Sequence, residues 1–310
     1  MLERNFSEFQ SKPNFEKIID ENLMTFEEYA SLVQDPEFVE PRRFQAKAKN
    51  GAEILYLGAE HTGNPEDPQI AHFQQEFYEY DPDVVIVEGL QNGIPAIKNL
   101  IQDPDFTEKY KDYLNADFFV RQYGEPGLGL LLAIQNDRDF QSPEPSSFEQ
   151  INFLLKHFSK EEVFVSTFYR SLDTAILKND YAQSEDHKRA NIDKEINTIL
   201  ENFQKETNWK DFDYSLEKLG QITKQIKNDD NFWDIYTRNP DRIDPTPWTQ
   251  NLPKHTIINK LSTKVSEFRD KTILKKIADL VLEKKKIMVI YGYSHLTMQA
   301  KAIEKIIGAI

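Results

Sequence analysis

Ala52-Glu53-Ile54-Leu55-Tyr56-Leu57 is an apolar run that stops at Gly58, and Asp83-Val84-Val85-Ile86-Val87-Glu88 is a second that stops at Gly89. Short β-branched runs closed by glycine read as strands, and Pro68 to Tyr80 between them reads as a helix. Strand, helix and strand within roughly forty residues is the βαβ pattern of a parallel sheet, whose Val/Ile/Leu-rich strands are buried on both faces. The right-handed crossover sets both strand C-termini on one edge. His61 and Glu88 fall at or just beyond those ends, where open α/β sheets bind their ligands.

Outward from this unit, Lys286-Ile287-Met288-Val289-Ile290-Tyr291 is a late buried strand ending at Gly292. A helix patterned by Ile257, Ile258, Leu261, Val265, Phe268, Ile273, Ile277, Leu280 and Val281 spans Lys254 to Glu283 before it, and Leu296 to Ile307 follows as a closing helix. Upstream, Asn14 to about Val33 has helical spacing that Pro36 to Arg43 breaks, so residues 1–50 are expected to form a helix and a linker. Leu128 to Ile134, behind Gly124-Glu125-Pro126-Gly127, reads as a helix feeding a short strand near Phe140 to Ser142. Phe148 to about Ile226 is polar and helix-patterned, an insertion or cap over the sheet. Asn228 to Pro253, rich in proline and containing Trp233 and Trp248, reads as a loop that could serve as a lid. The expected architecture is α/β: a central, mostly parallel sheet flanked by helices, forming a single domain over 51–310 with a helical insertion at about 148–253.

The composition narrows the chemistry. A net charge of −14 disfavours nucleic acid or an anionic membrane as partner but names no substrate, a small molecule and a peptide being equally compatible with it. The chain has no cysteine, which excludes disulfides, thiolate metal sites and cysteine nucleophiles, so any metal must be held by His, Asp or Glu. The opening Met1-Leu2-Glu3-Arg4-Asn5-Phe6 has no signal-peptide pattern and no segment has the length of a membrane span, so a cytoplasmic location is expected.

Two segments share one local grammar, a strand, then Gly, two residues, His, and soon a helix: Gly58-Ala59-Glu60-His61 and Gly292-Tyr293-Ser294-His295. Glycine at a strand end permits positive φ or close backbone approach, and so presents the imidazole over the sheet edge. Neutral imidazole is a general base near neutral pH and a common metal ligand. Glu88 is expected to emerge at the same edge as His61. Glu60 is either a second carboxylate of the site or a solvated loop charge. Glu125 and Glu144 sit in acidic turns, where an acid can also serve only the electrostatics of a helix start. Arg269 is either a surface ion-pair partner or a fork-shaped donor able to clamp a carboxylate. Arg238 is a lesser candidate. His72, His157, His187 and His255 lack strand-end context and are expected on surfaces or helix faces.

His61, Glu88, Arg269 and His295, in this order and context, resemble the signature of the superfamily uniting TraB/PrgY pheromone-shutdown proteins, Tiki metalloproteases, GumN-like proteins, erythromycin esterases and ChaN-like haem-binding lipoproteins. The likeness spans Ile54 to about Ile307, the middle third matching only in length and helicity. Gly124-Glu125 followed by Ser142-Pro143-Glu144 resembles the paired acidic turns of Tiki-like members. Glu60 departs from the Gly-Glu-x-His form of other members by lying next to the histidine. The resemblance implies a hydrolase of peptide or ester bonds, with His61, His295, Glu88, Glu125 and Arg269 in catalysis. With a divalent ion such as manganese, cobalt or zinc, the ligands would come from His61, His295, Glu88, Glu60 and Glu144. Its alternative is a non-catalytic protein that binds haem or a peptide.

Overall fold

The computed structural model describes residues 13–90, 115–179, 185–227 and 257–310. The chain divides into two compact units, one comprising 1–144 with 270–310 and the other 145–269.

The first unit is built on a five-stranded sheet of β1 (Arg43–Lys47), β2 (Glu53–Ala59), β3 (Val84–Val87), β4 (Asp139–Gln141) and β5 (Lys286–Gly292), in the order β1-β2-β5-β3-β4. β2, β5, β3 and β4 are mutually parallel and β1 is an antiparallel edge. The mostly parallel α/β architecture expected from the two Val/Ile/Leu runs is therefore the observed one. The crossover from β2 through α3 (Pro68–Tyr80) to β3 leaves one strand position open, and β5 fills it. In register, Gly58 lies beside Tyr291, Ala59 beside Gly292, and Val87 beside Ile290, so three strands end at one level.

The period of two along each strand splits the buried residues between the two faces. Ile54, Tyr56, Val84, Ile86, Ile287 and Val289 pack with Ile273, Leu274 and Ile277 of a late helix and with the closing helix. Leu55, Leu57, Val85, Val87, Met288 and Ile290 pack on the opposite face with Phe73, Phe77, Leu128 and Leu132. All twelve of these strand residues are fully buried, each contributing about 1.5–3 kcal/mol of transfer free energy. That concentration of apolar burial fixes the register, because a one-residue slip would exchange the two faces.

Several boundaries differ from the sequence reading. The N-terminal helical stretch is two helices, α1 (Phe15–Asn22) and α2 (Phe26–Leu32), the second opened by a Thr25/Glu28 capping box. Part of the expected linker is strand: Arg43–Lys47 alternates in exposure and hydrogen-bonds to β2. The helix expected only from Leu128 runs as α4 over Ala116–Gln135, broken at Gly124, whose φ is +67°. The closing helix begins three residues earlier than expected, with the helix Tyr293–Gly308 starting directly after β5.

The second unit contains α5 (Ser147–Leu154), α6 (Lys160–Asn179), α7 (Glu185–Thr207), α8 (Leu216–Lys227) and the first part of α9 (Ile257–Leu282). The remaining helix, Tyr293–Gly308, is α10. The second unit has its own core, in which Phe164, Phe168, Tyr169 and Leu172 of α6 meet Leu219, Leu261 and Val265. The second unit, 145–269, takes in the stretch 148–253 expected as an insertion. The anticipated lid Asn228 to Pro253, with Trp233, Trp248 and Arg238, lies outside the described residues, as does His255. Among the described residues, no helix is long and apolar enough to cross a membrane.

Candidate active site

β2, β5 and β3 deliver His61, His295 and Glu88 to one edge of the sheet. The Glu88 carboxylate lies between the two rings, with Oε2 3.7 Å from His61 Nε2 and Oε1 3.6 Å from His295 Nε2. These distances exceed a hydrogen bond, so the carboxylate couples electrostatically to both rings while leaving each Nε2 able to meet another group. The Gly292 amide donates to Glu88 Oε2 at 3.1 Å, holding the carboxylate at the positive end of α10.

The far side of each ring is pinned by a buried carboxylate. His61 Nδ1 donates to Glu125 Oε1 at 2.6 Å, and the Thr62 amide donates to Glu125 Oε2 at 3.2 Å. Glu125 reaches this position because α4 breaks at Gly124, so the acid opens the second helical segment and is only 1% exposed. On the other side, His295 Nδ1 donates to Asp270 Oδ1 at 2.6 Å, and Gln299 Nε2 donates to the same oxygen at 2.7 Å. Tyr56 Oη donates to Gln299 Oε1 at 3.3 Å, extending a buried chain under the sheet edge. Each ring is therefore fixed in plane, with Nδ1 on its buried carboxylate and Nε2 towards Glu88.

The electrostatics differ between the two rings. For His295, burial pulls the pKa down, but the Asp270 and Glu88 carboxylates more than reverse this and raise it to about 10. It is an imidazolium at neutral pH, which also compensates Asp270, whose Oδ2 has no hydrogen-bond partner among the described residues. His61 is also raised, first through its hydrogen bond to Glu125, with burial opposing and the Glu88 charge assisting. Its side chain is 67% exposed, so it is the ring open to solvent. Tyr56 is raised by burial and then by the charges of Asp270 and Glu88, so its hydroxyl stays protonated as a donor.

Neither motif glycine has positive φ, and only Gly58 serves close approach. A Cβ on Gly58 would lie 2.9 Å from the Pro41 carbonyl oxygen and 3.1 Å from Tyr293 Cα, both backbone atoms. A Cβ on Gly292 would meet Glu88 Oε2 and His61 Nε2 at 3.6 Å each, an ordinary contact inside the hollow. Gly58→Ala is therefore expected to cost about 1–3 kcal/mol, read as lost protection of β2 amides in hydrogen exchange. Gly292→Ala is expected to cost about 1 kcal/mol or less by the same measurement.

Of the residues singled out in the sequence, His61, Glu88, Glu125 and His295 come together. The second Gly-x-x-His is not a loop: His295 occupies the first turn of α10. Glu60 is drawn away to the rim, where its exposed carboxylate pairs with Arg42 at 3.5 Å while its backbone is bracketed by Gln69. Arg42 in turn stacks over Tyr293. Glu144 is half-buried beyond the end of β4, a strand further from β5 than Glu88. Arg269, half-buried, closes the second unit immediately before Asp270. His72, on α3, and His157, in the turn after α5, are both exposed, as expected.

Asp270 and Gln299 belong to this cluster but stand out less in the sequence. Asp270 continues the buried stripe of Ile273, Leu274 and Ile277, and an acid in an apolar stripe signals a buried partner. Gln299 lies four residues after His295, on the same helix face.

Among the described residues, no group of three or more His, Asp and Glu side chains is arranged to hold a metal ion. No protein-family model matches the chain, and no curated protein or solved structure is significantly similar to it.

Proposed function

We propose that this chain is a hydrolase of ester or peptide bonds in which His61 is the general base and the His295 imidazolium stabilises developing negative charge. One observation carries the reading: two carboxylate-anchored imidazoles, of unequal exposure and basicity, face a common carboxylate. Paired titratable groups whose environments push them into different protonation states are the usual basis of acid and base roles. In the proposed step, His61 Nε2 takes a proton from water as its oxygen attacks the substrate carbonyl carbon. The resulting oxyanion faces His295, and the His61 proton then passes to the departing alkoxide or amine. Glu125 holds His61 in the reactive tautomer, and Glu88 offsets the positive charge that accumulates on the rings. The motif resemblance to esterase and peptidase relatives supports the same bond classes.

A divalent ion is the second reading, favoured by the carboxylate on each Nδ1, an arrangement that orients metal-bound imidazoles. His61, His295 and Glu88 are donors of a kind suited to zinc, manganese or cobalt, and such an ion would polarise a carbonyl and acidify bound water. The donor types fit, but the side chains as they lie are not spaced to share an ion. The proposed step does not depend on one.

The test is turnover of a panel of activated esters, lactones and peptides as a function of pH, after chelation and again with manganese or zinc restored. Activity requires neutral His61 and protonated His295. The rate is therefore expected to rise through a limb above the ordinary histidine value of 6.5 and to fall again near pH 10. Glu125→Gln should move the rising limb to lower pH, because it removes the bond that raises His61. Turnover that is absent across the panel, or a rising limb indifferent to Glu125→Gln, contradicts the reading; activity that returns only with metal selects the second.

A further inference from the structure

The two carboxylates that pin the histidines are held in different ways. Glu125 uses both oxygens, Oε1 on His61 Nδ1 and Oε2 on the Thr62 amide, so they cannot exchange places without breaking a bond. Asp270 takes both of its donors, His295 Nδ1 and Gln299 Nε2, on Oδ1, and Oδ2 has no hydrogen-bond partner among the described residues. A terminal carboxylate torsion is broad and roughly two-fold, so the His295 bond by itself would be met equally by either oxygen. The second donor removes that equivalence. It comes from the same helix as the first, four residues on, so both bonds run from one face of α10 to one oxygen on α9.

Gln299 has two chemically different ends, and its neighbours settle which faces Asp270. The Tyr56 hydroxyl donates to Oε1, which leaves Nε2 for the carboxylate. Turned over, the amide would set its oxygen against Oδ1, two acceptors with no hydrogen between them. Tyr56, Asp270 and Gln299 are all fully buried, so water does not compete for these bonds. A methionine would fill nearly the same space without the cost of burying an amide, so packing alone does not call for glutamine here.

We propose that Gln299 is a positioning residue: oriented by Tyr56, it selects the Asp270 oxygen that His295 Nδ1 meets, and so sets the plane in which His295 Nε2 faces Glu88. His61 has no such dependence, because a backbone amide already holds the second oxygen of Glu125. Only the effect on rate rests on the hydrolase reading. There the plane of His295 decides whether the imidazolium points at the oxyanion, and a misplacement of about 1 Å costs about 10²-fold.

The test is NMR of the full chain with isotopically labelled histidine rings at neutral pH, in wild type, Gln299→Met and Tyr56→Phe. Wild-type His295 is expected to give one set of ring signals, with its Nδ1 proton protected from solvent. In Gln299→Met that proton should exchange about tenfold faster or more, and the His295 signals should double or broaden while those of His61 stay as in wild type. Tyr56→Phe deletes only a hydroxyl and keeps the ring in the core. It should move the same His295 signals in the same direction by less, and it decides the question if Gln299→Met fails to fold. On any substrate that turns over, Gln299→Met should lower kcat by about tenfold or more with KM within about twofold of wild type. Unchanged His295 signals in folded Gln299→Met or in Tyr56→Phe would overturn the inference. Equal changes at His61 and His295 would overturn it too, since a general loosening of the core produces that result. The ring signals can be read whether or not a substrate is found, so failure of the hydrolase reading is told apart from failure of this one.

Discussion

Asp270→Ala is expected to destabilise the first unit by about 3–5 kcal/mol, the usual consequence of removing one member of a buried ion pair. Asp270 is fully buried and accepts from both His295 and Gln299, so the substitution strands an imidazolium beneath the sheet edge and an amide without its acceptor. The effect depends on pH in a defined direction. His295 has a folded-state pKa raised from 6.5 to about 10. Its contribution is therefore fully present below pH 6.5 and is lost as pH rises through about 10. Wild type and Asp270→Ala should differ most at and below pH 6.5 and converge in strong alkali. All three tryptophans lie between residues 209 and 248, so indole fluorescence follows the other unit. Hydrogen exchange of the β5 amides of Ile287 to Ile290 is the appropriate readout. A loss below about 1 kcal/mol at neutral pH would mean that the Asp270 and His295 pair carries little of the fold.

His61→Gln is expected to lower kcat/KM by about 10²–10⁴ on any substrate the panel yields, the span typical of losing a general base. Glutamine can keep a hydrogen bond to Glu125, so Glu125 is not left alone, and the ring it replaces is largely open to solvent. Stability should therefore change by no more than about 1 kcal/mol. The contrast should separate the two histidines: loss of His61 is expected to affect turnover with little effect on the fold, and loss of His295 or Asp270 to affect both. Turnover within about threefold of wild type would remove His61 from the chemistry.

What the sequence disclosed, and what it did not, follows from the range of the forces involved. The strands Ile54 to Leu57, Val84 to Val87 and Ile287 to Tyr291 were legible because complete burial demands unbroken apolar runs. The placement of His61, Glu88 and His295 at strand ends was legible for the same reason, since a polar residue after such a run marks where the strand leaves the core. The position of β5 between β2 and β3 was not legible, because strand order is a property of packing between distant segments. Yet that order brings the two Gly-x-x-His motifs together. Arg43–Lys47 was hidden by its charge, which an edge strand tolerates on its exposed side. Asp270 was hidden beside Arg269: the two adjacent residues differ by about 100° around the helix, and the aspartate is the one aligned with Ile273, Leu274 and Ile277.

Two imidazoles sharing one carboxylate define the site, and the most direct measurement of that coupling is the titration of isotopically labelled histidine rings by NMR in wild type and Glu88→Gln. In wild type, His295 should hold its proton until about pH 10 and His61 should titrate above 6.5. In Glu88→Gln both midpoints should fall together, because the same charge raises both. If either ring titrates at or below 6.5 in wild type, or if only one of them responds to the loss of Glu88, the histidines do not form a single site.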